Sequence, residues 1–173
     1  MKILIPPPPP LHDRINELKL IEEQYNNRVV DEDLQQLFDQ DIPGAFDKVL
    51  MSYGVPSQYE VIKDIKELIV PIIIFHKEYF SAPRPTKLAK IFGLNFRGDD
   101  LESAYTPSYP SGHTAQAFYV AYVLSVKYPY LSGKLLKLAE LISLSRIDRG
   151  VHFPSDIIGG KLLADKIYGV QHE

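Results

Sequence analysis

The chain has 173 residues, 45% hydrophobic and 24% charged, which is enough apolar material for one globular domain with a core. Its net charge of -3 lacks the basic surface that non-specific nucleic-acid binding needs, and without cysteine it forms neither a disulfide nor a thiolate metal site. Residues 1–5 are too short an apolar run for a signal peptide, and no run reaches the ~18 apolar residues of a spanning helix; 68–75 is interrupted by Pro71 and 115–126 by Gln116. A soluble, cytoplasmic protein with no transmembrane segment is expected, with its oligomeric state (homo-oligomer included) left open.

Five prolines, Pro6 to Pro10, open the chain as an extended polyproline arm over residues 1–11. Such a run suits an SH3-type partner, or serves as a stiff spacer ahead of the first helix. From His12 to Asn27, Ile15, Leu18, Ile21 and Tyr25 recur at helical spacing, and Asp31-Glu32-Asp33 starts a second helix carrying Leu34, Leu37 and Phe38. Pro43-Gly44 is expected to break it before a short continuation over 45–51. Ser57-Gln58-Tyr59-Glu60 reads as a capping box, predicting one long helix from Ser57, with Val61, Ile62, Ile65, Leu68, Ile69, Ile72 and Ile73 on its core face and a kink at Pro71.

That helix runs into Lys77 and then Ser81-Ala82-Pro83-Arg84-Pro85, where the prolines stop it and hold Arg84 in a stiff turn. A short helix over 86–92 precedes a long loop, 93–108, which carries Asp99, Asp100 and Tyr105 and ends just before Tyr109. Loops of this length in compact domains are often functional. Asp99 and Asp100 are either solvated or metal ligands; Tyr105 and Tyr109 either rim a pocket or pack the loop. Tyr109-Pro110-Ser111-Gly112-His113-Thr114 then starts an apolar helix over 115–126, with Ser111 placed as N-cap and Gly112 allowing close approach to the backbone. The free N–H groups and dipole of such a helix start favour an anion, to which His113 can deliver a proton. After a turn at Tyr128-Pro129, another amphipathic helix leads into Ser145-Arg146, then His152, Pro154 and Asp156. A last helix contains Gly159-Gly160, a pair costing roughly 1–2 kcal/mol by propensity unless close helix packing requires it.

Taken together, Lys77 with Arg84-Pro85, then Pro110-Ser111-Gly112-His113, then Ser145-Arg146, His152 and Asp156 resemble the three-part signature of the type 2 phosphatidic acid phosphatase superfamily, which includes class A acid phosphatases and vanadium haloperoxidases. The resemblance covers residues 77–156 within a domain of residues 12–173. It implies an all-α, single-domain helical bundle with the site at one end.

It also implies a metal-independent phosphatase, with no cofactor, acting on a small phosphate monoester or pyrophosphate. In that scheme His152 is the nucleophile that becomes a phosphohistidine, Asp156 holds its other N–H, and His113, protonated, serves as general acid. Lys77, Arg84 and Arg146, with Ser111 and the Gly112 N–H, cradle the phosphoryl oxygens, and vanadate is expected as an inhibitor. A lipid phosphate phosphatase at a membrane surface and a vanadate-dependent haloperoxidase share the signature.

Overall fold

The computed structural model describes residues 1–172. Its helices are α1 (Leu11–Asn27), α2 (Glu32–Gln40), α3 (Ile42–Ser52), α4 (Tyr59–Leu68), α5 (Val70–Phe80), α6 (Pro85–Ile91), α7 (Gly112–Lys127), α8 (Ser132–Asp148) and α9 (Pro154–Gln171). Single 3-10 turns occur at Glu102–Ala104 and Pro129–Leu131, and no strand is found among the described residues. The class is all-α, as expected.

Helix α7 is apolar on several faces, and Ala115, Ala117, Phe118, Val120, Ala121 and Leu124 are all buried, so it occupies the centre. α8 and α9 make the most extensive packing against it. The double glycine of α9 allows that proximity: a Cβ on Gly159 would lie 2.3 Å from the Tyr109 ring, and one on Gly160 2.6 Å from the Ser111 carbonyl oxygen. At the C-terminal end of α8, Gly150 takes a positive φ of 69° and meets Gly98 of the long loop, which Asp99 N–H ties down through the Arg149 carbonyl at 2.9 Å.

The helix boundaries differ from the expected ones at three places in the N-terminal half. The second helix ends before Pro43-Gly44, because Asp41 caps α3 through Gly44 N–H (3.0 Å) and Pro43 fits its first turn. The capping box at Ser57 does not form. Asp47 of α3 accepts from both the Ser57 hydroxyl and the Gln58 N–H, each at 2.7 Å, and α4 starts at Tyr59. The expected kink is a break: Pro71 sits in the first turn of α5, after Ile69 has closed α4. Val61 and Leu68, expected on the core face, are exposed, while Ile62, Ile69 and Ile73 reach the core.

The arm ahead of α1 is anchored on the core through residues 4–6, with Pro6, Pro7 and Pro10 exposed. Leu4 N–H donates to His76 Nε2 at 3.0 Å, the Tyr109 hydroxyl donates to the Pro6 carbonyl at 2.6 Å, and Ile5 is buried in the main core. No helix among the described residues is long and apolar enough to cross a membrane.

Candidate active site

Every candidate residue lies at a helix end, and these ends meet. Lys77 occupies the last turn of α5, Arg84 precedes α6, and Ser111, Gly112 and His113 open α7. Arg146 is in the last turn of α8, His152 in the α8–α9 connection, and Asp156 in the first turn of α9. Because α7 packs against both α8 and α9, the end of α8 and the start of α9 are brought to the start of α7, where the Ser111 N–H donates to the Asp156 carbonyl at 2.9 Å.

His152 is buried between an acid and a base. Its Nδ1 lies 3.0 Å from Asp156 Oδ2 and its Nε2 3.0 Å from Arg84 Nη1. A guanidinium only donates, so Nε2 carries the lone pair and Nδ1 the proton. Burial first, and then the charges of Arg84, Lys77 and Arg146, push the His152 imidazole well below its usual range, keeping it neutral. The Asp156 carboxylate also accepts from Phe153 N–H (2.9 Å), the Ser108 hydroxyl and the Arg14 guanidinium. Burial raises that carboxyl, against the pull of Arg14 and these hydrogen bonds.

Three basic side chains, Lys77, Arg84 and Arg146, lie close enough to act on one another. Arg84 is held by the Thr106 carbonyl (2.8 Å) and the Val151 carbonyl (3.0 Å), and burial brings it down to about 10. Lys77 donates to the Pro107 carbonyl at 2.7 Å, not to the end of its own helix. Burial, then Arg84 and Arg146, push its ammonium well below the usual lysine range. Arg146 is fully buried. Its Nη1 donates to Asp39 Oδ1 (2.7 Å) and Nη2 to the Ser103 hydroxyl (3.1 Å), while Nε has no partner. That unpaired donor is a buried N–H available to an anion.

At the start of α7, Ser111 Oγ caps the helix by accepting from Thr114 N–H at 3.2 Å. The N–H groups of Gly112 and His113, as the first two helical residues, have no intrahelical acceptor. His113 departs from the expected charged acid. Its Nε2 donates to the Asp39 carbonyl at 2.7 Å, and burial followed by the Arg146 charge lowers it to about 3, outweighing Asp39, so it is neutral here.

Two of these partners are absent from the sequence reading. Arg14 comes from α1 and Asp39 from the last turn of α2. Arg14 has a signal: it stands four before Leu18 and seven before Ile21, on the stripe that α1 buries. Asp39 has none beyond following the buried Phe38. Burial alone would raise its carboxyl, but hydrogen bonds from Ser103 and Arg146 and the Arg146 charge hold it below its ordinary value. The other loop candidates take structural roles. Asp99 accepts from the Tyr25 hydroxyl (2.8 Å) and Arg149 Nε (2.9 Å), and Asp100 from the Tyr105 hydroxyl (3.1 Å). Tyr105 also lines a cleft of about 580 Å³ that reaches Arg84, while Tyr109 is packed inside.

Residues 65–164, which contain all the candidate residues, match the model of the PAP2 superfamily. The chain belongs to the PAP2 superfamily. It is 26% identical to a non-specific acid phosphatase of Providencia stuartii, across 98% of this chain and 73% of that protein. It is 33% identical to a putative undecaprenyl-diphosphatase of Escherichia coli, across 66% of this chain and 57% of that one. A transmembrane PAP2-type phosphatidylglycerolphosphate phosphatase from Bacillus subtilis shares the fold, with a TM-score of 0.56 at 19% identity, covering 93% of this chain and 87% of that chain. Arg14 and Asp39 both lie before the segment matched to the PAP2 superfamily.

Proposed function

We propose that this PAP2-superfamily protein is a soluble, metal-independent phosphatase that hydrolyses a phosphate monoester or pyrophosphate through a phosphohistidine. The observation that carries this reading is His152: a buried neutral imidazole whose Nε2 lone pair faces Arg84 while Asp156 accepts its Nδ1–H. In the first step the proton of the substrate monoanion is taken up by His113 and passes to the leaving oxygen as Nε2 of His152 forms a bond to phosphorus and the bond to that oxygen breaks. In the second step neutral His113 takes a proton from water, the water oxygen bonds to phosphorus, the N–P bond breaks, and His113 returns the proton to the departing phosphate. Lys77, Arg84 and Arg146, with the N–H groups opening α7, stabilise the equatorial oxygens throughout.

Since His113 is neutral in the free site, the reactive substrate is the phosphate monoanion, which brings the required proton. The phosphate second ionisation falls near ~6, so kcat/KM declines above that pH. Enzyme labelled with substrate and quenched in denaturant at alkaline pH, where the N–P bond persists, should carry phosphate on His152, and His152→Ala should abolish both label and turnover while the helical circular dichroism persists. Label on another residue would overturn the mechanism. Activity that is lost on chelation and restored by a divalent ion would overturn metal independence.

A lipid phosphate presented at a membrane surface is a second reading, favoured by the exposed Ile91, Phe92 and Leu94. These lie in sequence between Lys90 and Arg97, which line the cleft at Arg84 together with Lys87. Faster phosphate release from lipid phosphate in vesicles than from soluble esters would decide for it.

A further inference from the structure

Helix α1 precedes the family-matched segment, yet it places a guanidinium behind the proposed nucleophile. Arg14 is fully buried, its Nη2 donates to Asp156 Oδ1, and its guanidinium lies 4.0 Å from the centroid of the Phe153 ring. One turn on, Glu17 accepts from the Ser155 N–H (2.7 Å) and hydroxyl (2.8 Å) and stands 3.9 Å from Arg14 Nε. α1 thus grips the first turn of α9 with one charge of each sign. Desolvating a guanidinium is expensive, and an apolar side chain of similar volume fills such a space without that penalty. The contact divides the carboxylate: Oδ1 faces Arg14, whereas Oδ2 accepts from His152, Ser108 and Phe153.

We propose that Arg14 is a positioning residue for phosphoryl transfer, holding the buried Asp156 carboxylate ionised and oriented so that His152 presents Nε2 as a neutral nucleophile. This role rests on the phosphohistidine reading above. A carboxyl group buried this deeply takes up a proton unless a cation opposes it. Protonated, Asp156 no longer draws the imidazole proton to Nδ1, and it cannot balance the positive charge that grows on His152 as the N–P bond forms. The groups acting on Asp156 are Arg14 from α1, Ser108 from the long loop, and Phe153 and His152 from the α8–α9 connection, with Lys77 and Arg84 nearby. Arg14 is the guanidinium bonded to it.

A double-mutant cycle between Arg14→Met and Asp156→Asn tests the role, read by kcat, its pH profile and the affinity for inorganic phosphate. Arg14→Met should lower kcat by at least ~10-fold, move the acid limb of kcat to higher pH, and leave inorganic phosphate affinity within ~2-fold. The double variant should be no slower than Asp156→Asn alone, and Arg14→Lys should restore part of the rate and of the pH profile. Multiplying losses in the double variant, an inorganic phosphate affinity that falls in step with kcat, or a folded Arg14→Met of unchanged rate would each overturn the role. If circular dichroism shows Arg14→Met unfolded, Arg14→Lys carries the cycle, and a loss that persists in the Asp156→Asn background overturns the role. Full activity of Asp156→Asn would overturn the phosphohistidine reading itself, together with the role assigned to Arg14.

Discussion

The two flanks of the site are built in opposite senses from the same N-terminal segment. On one flank α1 brings a cation, Arg14, to the carboxylate that orients His152. On the other flank α2 brings an anion, Asp39, to the cradle cation Arg146, and its carbonyl to His113. The first contact lies on the Nδ1 side of His152, away from Nε2, which accepts from Arg84. The second lies where the proposed mechanism puts the phosphoryl group and leaving oxygen, so that Asp39 and a bound phosphate would place like charges on one arginine. In that mechanism the signature residues react, and the residues before them set the charge state in which they wait.

Removing Arg146 breaks both halves of the second flank at once and should have the largest effect. Arg146→Ala should weaken vanadate binding by about 2–5 kcal/mol, measured by calorimetry, since a buried charge-assisted contact is lost and Asp39 is left unpaired. Binding that changes by less than tenfold would mean that Arg146 serves Asp39 alone.

Asp156→Asn probes the first flank. It keeps the shape and removes the charge, so kcat should fall by ~10² or more while the affinity for inorganic phosphate stays within about threefold. A parallel loss of phosphate affinity would place Asp156 in the cradle and erase the distinction between the flanks.

Asp39→Asn should act in the other direction. Taking a negative charge away from Arg146 should tighten inorganic phosphate binding by up to about tenfold, or ~1.4 kcal/mol. Weaker binding would make Asp39 a support for the cradle and not a competitor.

A separate effect, on stability, accumulates over several pH units. His113, lowered to about 3, and His152, also lowered, bind protons less readily folded than unfolded, where a histidine titrates near ~6.5. Below that pH the unfolded chain binds more protons, so stability falls as pH falls, by up to ~1.4 kcal/mol per pH unit for each histidine. Asp39, held below its ordinary value, adds to the loss near and below pH ~4. Urea unfolding between pH 7 and 4 measures the slope, and bound phosphate should reduce it by favouring protonated His113.

Much of this protein could be read from local pattern. Helical periodicity, the Ser111 cap and the absence of alternating strands all belong to short stretches of chain, where spacing alone determines which side chains share a face. The signature was legible for a similar reason: in the proposed mechanism its residues touch the phosphoryl group, and their types follow from that chemistry. Local signals failed where a distant group offered a better partner. Asp47 took the Ser57 hydroxyl and the Gln58 N–H, so that α4 starts with no side-chain cap, and the Tyr109 hydroxyl and His76 anchor the start of the proline arm. Arg14 could have been flagged as a charge on a buried stripe, but its partner is 142 positions away, and only the docking of α1 on α6 and α8 brings it to Asp156. Asp39 carries no mark at all. Its role, and the neutral state of His113, follow from burial and from the summed field of neighbours that the fold alone brings together.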